Sequence, residues 1–172
     1  PGLQSVHFPW NGSFILASHR DSEDTGLQGL SLLSTLALEQ PPIRLFPDDD
    51  ASYSFAGIER ATDRLLLLRE DTKTLRRDVV RYDPVINESL LITEDLPGQI
   101  SAASLSPDGL QVLVELTESS SGLRAIAVID LEQPALQPTL LGGSVEQECF
   151  WAAWRPRSAV EEGSPEDSAI PN

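Results

Sequence analysis

His7, His19 and Asp21 have side chains of the types that bind a divalent metal or act as a general base. The two histidines flank a predicted hairpin, and surface or rim positions account for them more simply than a shared site. Asp48-Asp49-Asp50 clusters carboxylates as calcium requires. Contiguous acids lack the alternating ligand spacing and the glycine of a calcium loop, so an acidic turn is the simpler account. Gly142-Gly143-Ser144 runs into Val145-Glu146, which removes the second glycine that a nucleophile elbow needs. Gly26-Leu27-Gln28-Gly29 lacks the spacing of a phosphate loop, and the acidic run Asp21-Ser22-Glu23-Asp24 before it would repel phosphate. Cys149 is the only cysteine, so there is no intramolecular disulfide and no multi-cysteine metal site. Beside Phe150 and Trp151 it fits a small buried hydrophobe. These patterns predict a non-enzyme with no catalytic residue, metal or cofactor.

Charge narrows the partners. A net charge of -15 over 172 residues argues against nucleic acid, whose phosphates need Lys and Arg to displace counterions. The exception is 57–81. There Arg60, Arg64, Arg69, Lys73, Arg76, Arg77 and Arg81 face Glu59, Asp63, Glu70, Asp71 and Asp78, seven cations against five anions. A strand face laced with internal ion pairs explains such a stripe, while Arg76, Arg77 and Arg81 are the candidates for docking a protein partner. Trp151 and Trp154, three apart in a predicted strand, point to opposite faces and are the aromatic candidates for the same role. No apolar run approaches the roughly 18 residues of a membrane span. With no Met and Pro1 first, the chain reads as lacking an upstream piece: a signal peptide, a tag or a further domain.

Short strands must position these side chains. The clearest stretch is 100–131, where Ser106-Pro107-Asp108-Gly109 joins a fixed φ, a self-capping side chain and a residue free to take positive φ between two strands. The predicted strands there are 100–105, 111–117, 124–130 and 138–141. A shift of 47 positions brings Asp83 onto Asp130 and Leu65–Arg69 onto Val112–Leu116. This second unit predicts strands at 52–57, 64–69, 76–82 and 89–93, with Ala61-Thr62-Asp63 near the place of Pro107-Asp108-Gly109 at a small offset. An earlier unit predicts 4–8, 13–18, 29–35 and 42–46, with Phe14 aligned 51 positions before Leu65 and strand preferred to helix over 27–38. A fourth unit starts at Trp151 and reaches Pro156. Periods of this length, with four strands each, mark propeller blades. The expected fold is all-β and propeller-like: about three four-stranded antiparallel blades plus the start of a fourth over 1–158, and an acidic, mobile tail over 159–172. A β-sandwich is the alternative.

Ser106-Pro107-Asp108-Gly109, the strand Val112–Leu116, and Ile126-Ala127-Val128-Ile129-Asp130-Leu131 together resemble the TolB-type β-propeller repeat. The best copy covers about a quarter of the chain, and weaker copies extend the likeness to most of residues 4–156. The resemblance implies a binding role: a protein-interaction scaffold, in a periplasmic or extracytoplasmic setting, or an accessory propeller domain of a larger hydrolase. Because three units fall short of the 4 to 8 blades of a closed ring, further blades, a second copy or another protein are the expected partners.

Overall fold

The computed structural model describes residues 3–8, 12–20, 28–47, 49–94, 96–133, 138–141 and 154. Among the described residues every regular element is a strand. Sheet 1 comprises β1 (Leu3–His7), β2 (Phe14–Arg20), β3 (Gln28–Ser34) and β4 (Ile43–Leu45). Sheet 2 comprises β5 (Ala51–Ile58), β6 (Leu65–Asp71), β7 (Arg77–Asp83) and β8 (Glu88–Leu91), and sheet 3 comprises β9 (Gly98–Leu105), β10 (Gln111–Glu118), β11 (Arg124–Asp130) and β12 (Pro138–Leu141). Each sheet is an antiparallel meander with its strands in chain order. All twelve predicted strands are present, with ends shifted by about two residues or fewer, the usual fraying distance. The leucine-rich segment within 27–38 is strand β3, because β2 and β4 pair with it on both sides.

Sheet 2 lies between the other two, and that placement explains its most unusual sequence. β6 opens with four consecutive leucines, which in a strand point alternately to opposite faces. Leu65 and Leu67, with Val80 and Tyr82 of β7, pack against Phe14, Leu16, Leu30 and Leu45 of sheet 1. Leu66 and Val79, with Leu68 beside them, pack against Val112, Val114, Leu116, Ala127 and Ile129 of sheet 3. A strand covered on both faces reads as an unbroken apolar run. The core is therefore two slabs with sheet 2 between them.

The stacking has a direction. Leu65 and Val112, 47 positions apart, both face the preceding sheet. In sheet 1 the corresponding residue is Ile15. The Thr35 amide donates to the Ser13 carbonyl (3.3 Å) as the Leu131 amide donates to the Leu110 carbonyl (2.8 Å), so Ser13 matches Leu110 and Ile15 matches Val112. Aligning Phe14 with Leu65 from sequence is one residue out, and one residue in a strand exchanges faces. Phe14 enters the first core slab, and Ile15 points away from it.

Candidate functional site

Ser106–Gly109 is a β-turn in which the Gly109 amide donates to the Ser106 carbonyl (2.9 Å). The Ser106 hydroxyl donates to Asp108 Oδ1 (2.5 Å) and accepts from the Gln111 amide (3.0 Å). Gly109 has φ +79°, and a Cβ there would lie 3.0 Å from the Arg60 backbone nitrogen. The turn of sheet 3 is thus seated on the first hairpin loop of sheet 2, where glycine allows both the conformation and the approach.

The facing loop performs the same closure with different chemistry. Glu59 stands 47 positions before Ser106, and its amide donates to the Arg64 carbonyl (2.9 Å) as the Ser106 amide donates to the Gln111 carbonyl (2.8 Å). The positive φ moves one place along the loop, from Gly109 to Asp63 (53°), which is the physical origin of the offset between the two turns in sequence. The carboxylate of Glu59 is almost wholly buried. Its Oε1 and Oε2 accept from Arg81 Nε (2.6 Å) and Nη2 (2.8 Å), and Oε2 also accepts from the Thr62 hydroxyl (2.7 Å). Such a forked pair satisfies both ions geometrically.

Further ion pairs lace sheet 2 and its loops. Arg69 grips Asp49 through Nε (2.9 Å) and Nη2 (3.0 Å), and the Tyr53 hydroxyl donates to the same carboxylate (2.5 Å). The Arg69 bond holds the Asp49 carboxyl below its ordinary pKa, and burial with the neighbouring Asp49 charge pushes the Tyr53 hydroxyl up. Arg64 pairs with Asp83 at 2.9 Å and lowers that carboxyl in turn. Arg77 pairs with Glu70 across β6 and β7, and Arg76 pairs with Asp78 at 3.1 Å. The arginines named as docking candidates are therefore placed differently: Arg76 and Arg77 keep 47% and 40% of their side chains exposed, while Arg81 keeps 16% and is held by Glu59. Sequence reasoning named Glu59 only within the charged stripe and Asp49 only within an acidic turn, and matched neither with its arginine. The available signal was a paired one, since Glu59 and Arg81 replace Ser106 and Val128 together at the 47-residue shift.

The other candidates are dispersed. His7 bonds Ser5 (3.0 Å) and lies against the Phe55 ring (4.0 Å between centroids), whereas His19 bonds Ser31 (2.8 Å). They occupy opposite faces of sheet 1, because His7 is paired with Leu16 of the inner face and His19 with Leu3 of the outer. Of the aspartate run, Asp49 serves Arg69 and Asp50 lies 3.4 Å from Lys73. Trp154 donates its indole N–H to the Ser104 carbonyl of β9 (3.2 Å). Trp151, Asp21, Asp48, Cys149, 142–144 and the tail 159–172 lie outside the described residues. Among the described residues no group of three His, Cys, Asp or Glu is placed to hold a metal ion, and no helix is long and apolar enough to cross a membrane.

One concave surface gathers polar side chains at the inner edge of sheet 2. Ser52, Ser54, Glu70 and Arg77, with Gln28 and Tyr53, line a cleft of about 460 Å³. Its one guanidinium is neutralised by Glu70, so it offers hydroxyls and an ion pair rather than a nucleophile with its base. No protein-family model matches the chain, and no curated protein matches it.

Proposed function

We propose that this chain is an arc of a TolB-like β-propeller and acts as a non-catalytic protein-interaction scaffold. The observation that carries the reading is the contact that Trp154 makes with sheet 3. Leu105 of β9 rests on Gly57, where an added Cβ would lie 2.8 Å from Leu105 Cβ. Ser104 stands 47 positions after Gly57, and Trp154 is fastened to its carbonyl. Trp154, from the segment read as the start of a fourth unit, thus meets β9 at the position where Leu105 meets β5, which supports a further unit stacked on sheet 3. Two core slabs on either side of a middle sheet, all meandering in one order, support an arc of blades over a sandwich, which shares a single core between two sheets. The charged side chains of sheet 2 support a scaffold over an enzyme, because they are arranged as mutual pairs.

Arg76, Arg77 and Trp154 are the described candidates that a protein partner can reach. A photo-cross-linking residue placed at 77 or 154 in cells expressing the chain is expected to give a discrete protein adduct, and one placed at Val85 is not. Adducts from none of the candidate positions, or turnover of ester or peptide substrates by the pure chain, would sink the reading.

A further inference from the structure

Sheet 1 has one face in the first core slab and one turned away from it. On the outer face Ala17 is paired with Val6 and Ser31, and Ile15 with Leu33, which places Val6, Ile15, Ala17 and Leu33 together. The matching residues Leu65, Leu67, Val112 and Val114 are wholly buried against a preceding sheet. In sheet 1, by contrast, Val6 is 41% exposed, and Ile15, Ala17 and Leu33 are only partly buried. The far face of sheet 3 is not its equal, since Leu113 and Ile126 there are buried. Among the described residues, sheet 1 therefore carries the one face of stacking type that stays open.

Charge selects what covers it. The four strands of sheet 1 contain Arg20, Arg44, His7 and His19 and no Asp or Glu, in a chain of net charge -15. Of the eight strands in the other two sheets, β6, β7, β8, β10 and β11 hold carboxylates and β5, β9 and β12 do not, so sheet 1 alone of the three sheets has none in its strands. Two copies repel through most of their surface, yet two outer faces of sheet 1 can meet without opposing carboxylates. An apolar sheet face meeting itself is also the self-complementary contact of a two-fold axis.

We propose that the outer face of sheet 1 is the interface of a two-fold dimer of this chain, two four-stranded sheets packed face to face about 10 Å apart. The inference rests on the scaffold reading in treating blade faces as the binding surfaces, and it names a second copy as one occupant. Light scattering between roughly 5 and 200 µM is expected to give twice the 18.7 kDa chain mass. Val6→Glu buries two unpaired carboxylates and should weaken the dimer at least about tenfold with an unchanged circular dichroism spectrum. Val85→Glu, in the exposed turn after β7, should leave the mass unchanged. Hydrogen exchange supplies a second measurement, with concentration-dependent protection expected in 3–20 and 28–34. A monomer at every concentration would overturn the proposal, as would a dimer indifferent to Val6→Glu or protection confined to the outer strands β4 and β8. A monomer that still forms the cross-linked adducts removes the dimer alone, and a dimer without adducts removes the wider scaffold reading alone.

Discussion

Sheets 2 and 3 share one hydrogen-bond frame and fill it with different chemistry. Their first hairpins close at Glu59/Arg64 and Ser106/Gln111, and their second at Asp71/Arg76 and Glu118/Leu123, each pair 47 positions apart. Sheet 3 supplies its positive φ with Gly109 and Gly122 and ties its first turn with a serine hydroxyl. Sheet 2 puts Asp63, Leu75 and Asn87 in that region and holds its loops with side chains: Thr62 to Glu59, Thr74 to Asp71, and Tyr82 to Asn87. Strand length and register are set by where the hairpins close, which leaves the side chains within them interchangeable. What differs is how each sheet fails when one group is removed.

The Glu59–Arg81 pair should separate the two sheets most. Glu59→Ala leaves a buried guanidinium unpaired and should cost about 3 kcal/mol in urea unfolding. The double variant E59S/R81V installs the residues sheet 3 uses at the matching positions and should come within about 1 kcal/mol of the parent, since removing both charges removes the desolvation as well. A double variant as unstable as the single one would break the equivalence.

Next in size are the two glycines of sheet 3. Gly109→Ala and Gly122→Ala share the strain of a left-handed non-glycine residue, roughly 1 kcal/mol. A Cβ at Gly122 meets nothing within 4 Å, whereas one at Gly109 meets the Arg60 nitrogen at 3.0 Å, so Gly109→Ala should lose about twice as much. Equal losses would show that the turn does not space the sheets.

Acid should then act on sheet 2. The carboxyls of Asp49 and Asp83 are lowered first by their bonds to Arg69 and Arg64, and that of Asp71 by the Thr74 amide. A folded pKa below the unfolded value of roughly 3.9 means stabilisation that is complete above that value and lost as pH falls through the folded pKa. Amide exchange in β6 and β7 should accelerate below about pH 4, and Asp49→Asn should flatten that profile. An unchanged profile in this variant would remove Asp49 from the account. The smallest effect concerns Leu75, at φ 57° where sheet 3 has Gly122. Leu75→Gly relieves strain but loosens the unfolded chain, leaving a gain of about 0.5 kcal/mol in thermal unfolding. A loss would mean that Leu75 makes a stabilising contact.

The strands were legible because each of their signals is local. Alternation, turn chemistry and the 47-residue shift identify all twelve, and Asp83 onto Asp130 matches the hydrogen-bond frame, since both carboxylates accept amides of the following turn. The alignment of sheet 1 was legible only to within one residue. Phe14 and Ile15 are both apolar, and nothing local records which of them faces the next sheet. The candidate site was less legible still. The basic stripe was visible as composition, but what sets Arg81, held by Glu59, and Arg69, held by Asp49, apart from the more exposed Arg76 and Arg77 is a pair of partners about 20 positions away.

By itself the sequence determined the strands, their meander within each unit and the repeat, because hairpin closure depends on neighbours a few positions apart. Only the tertiary structure decided that sheet 2 is covered on both faces, that Gly109 spaces two sheets and that Ile15 faces outward. Those are contacts between faces, and a strand pattern of period two names two faces without saying what covers either.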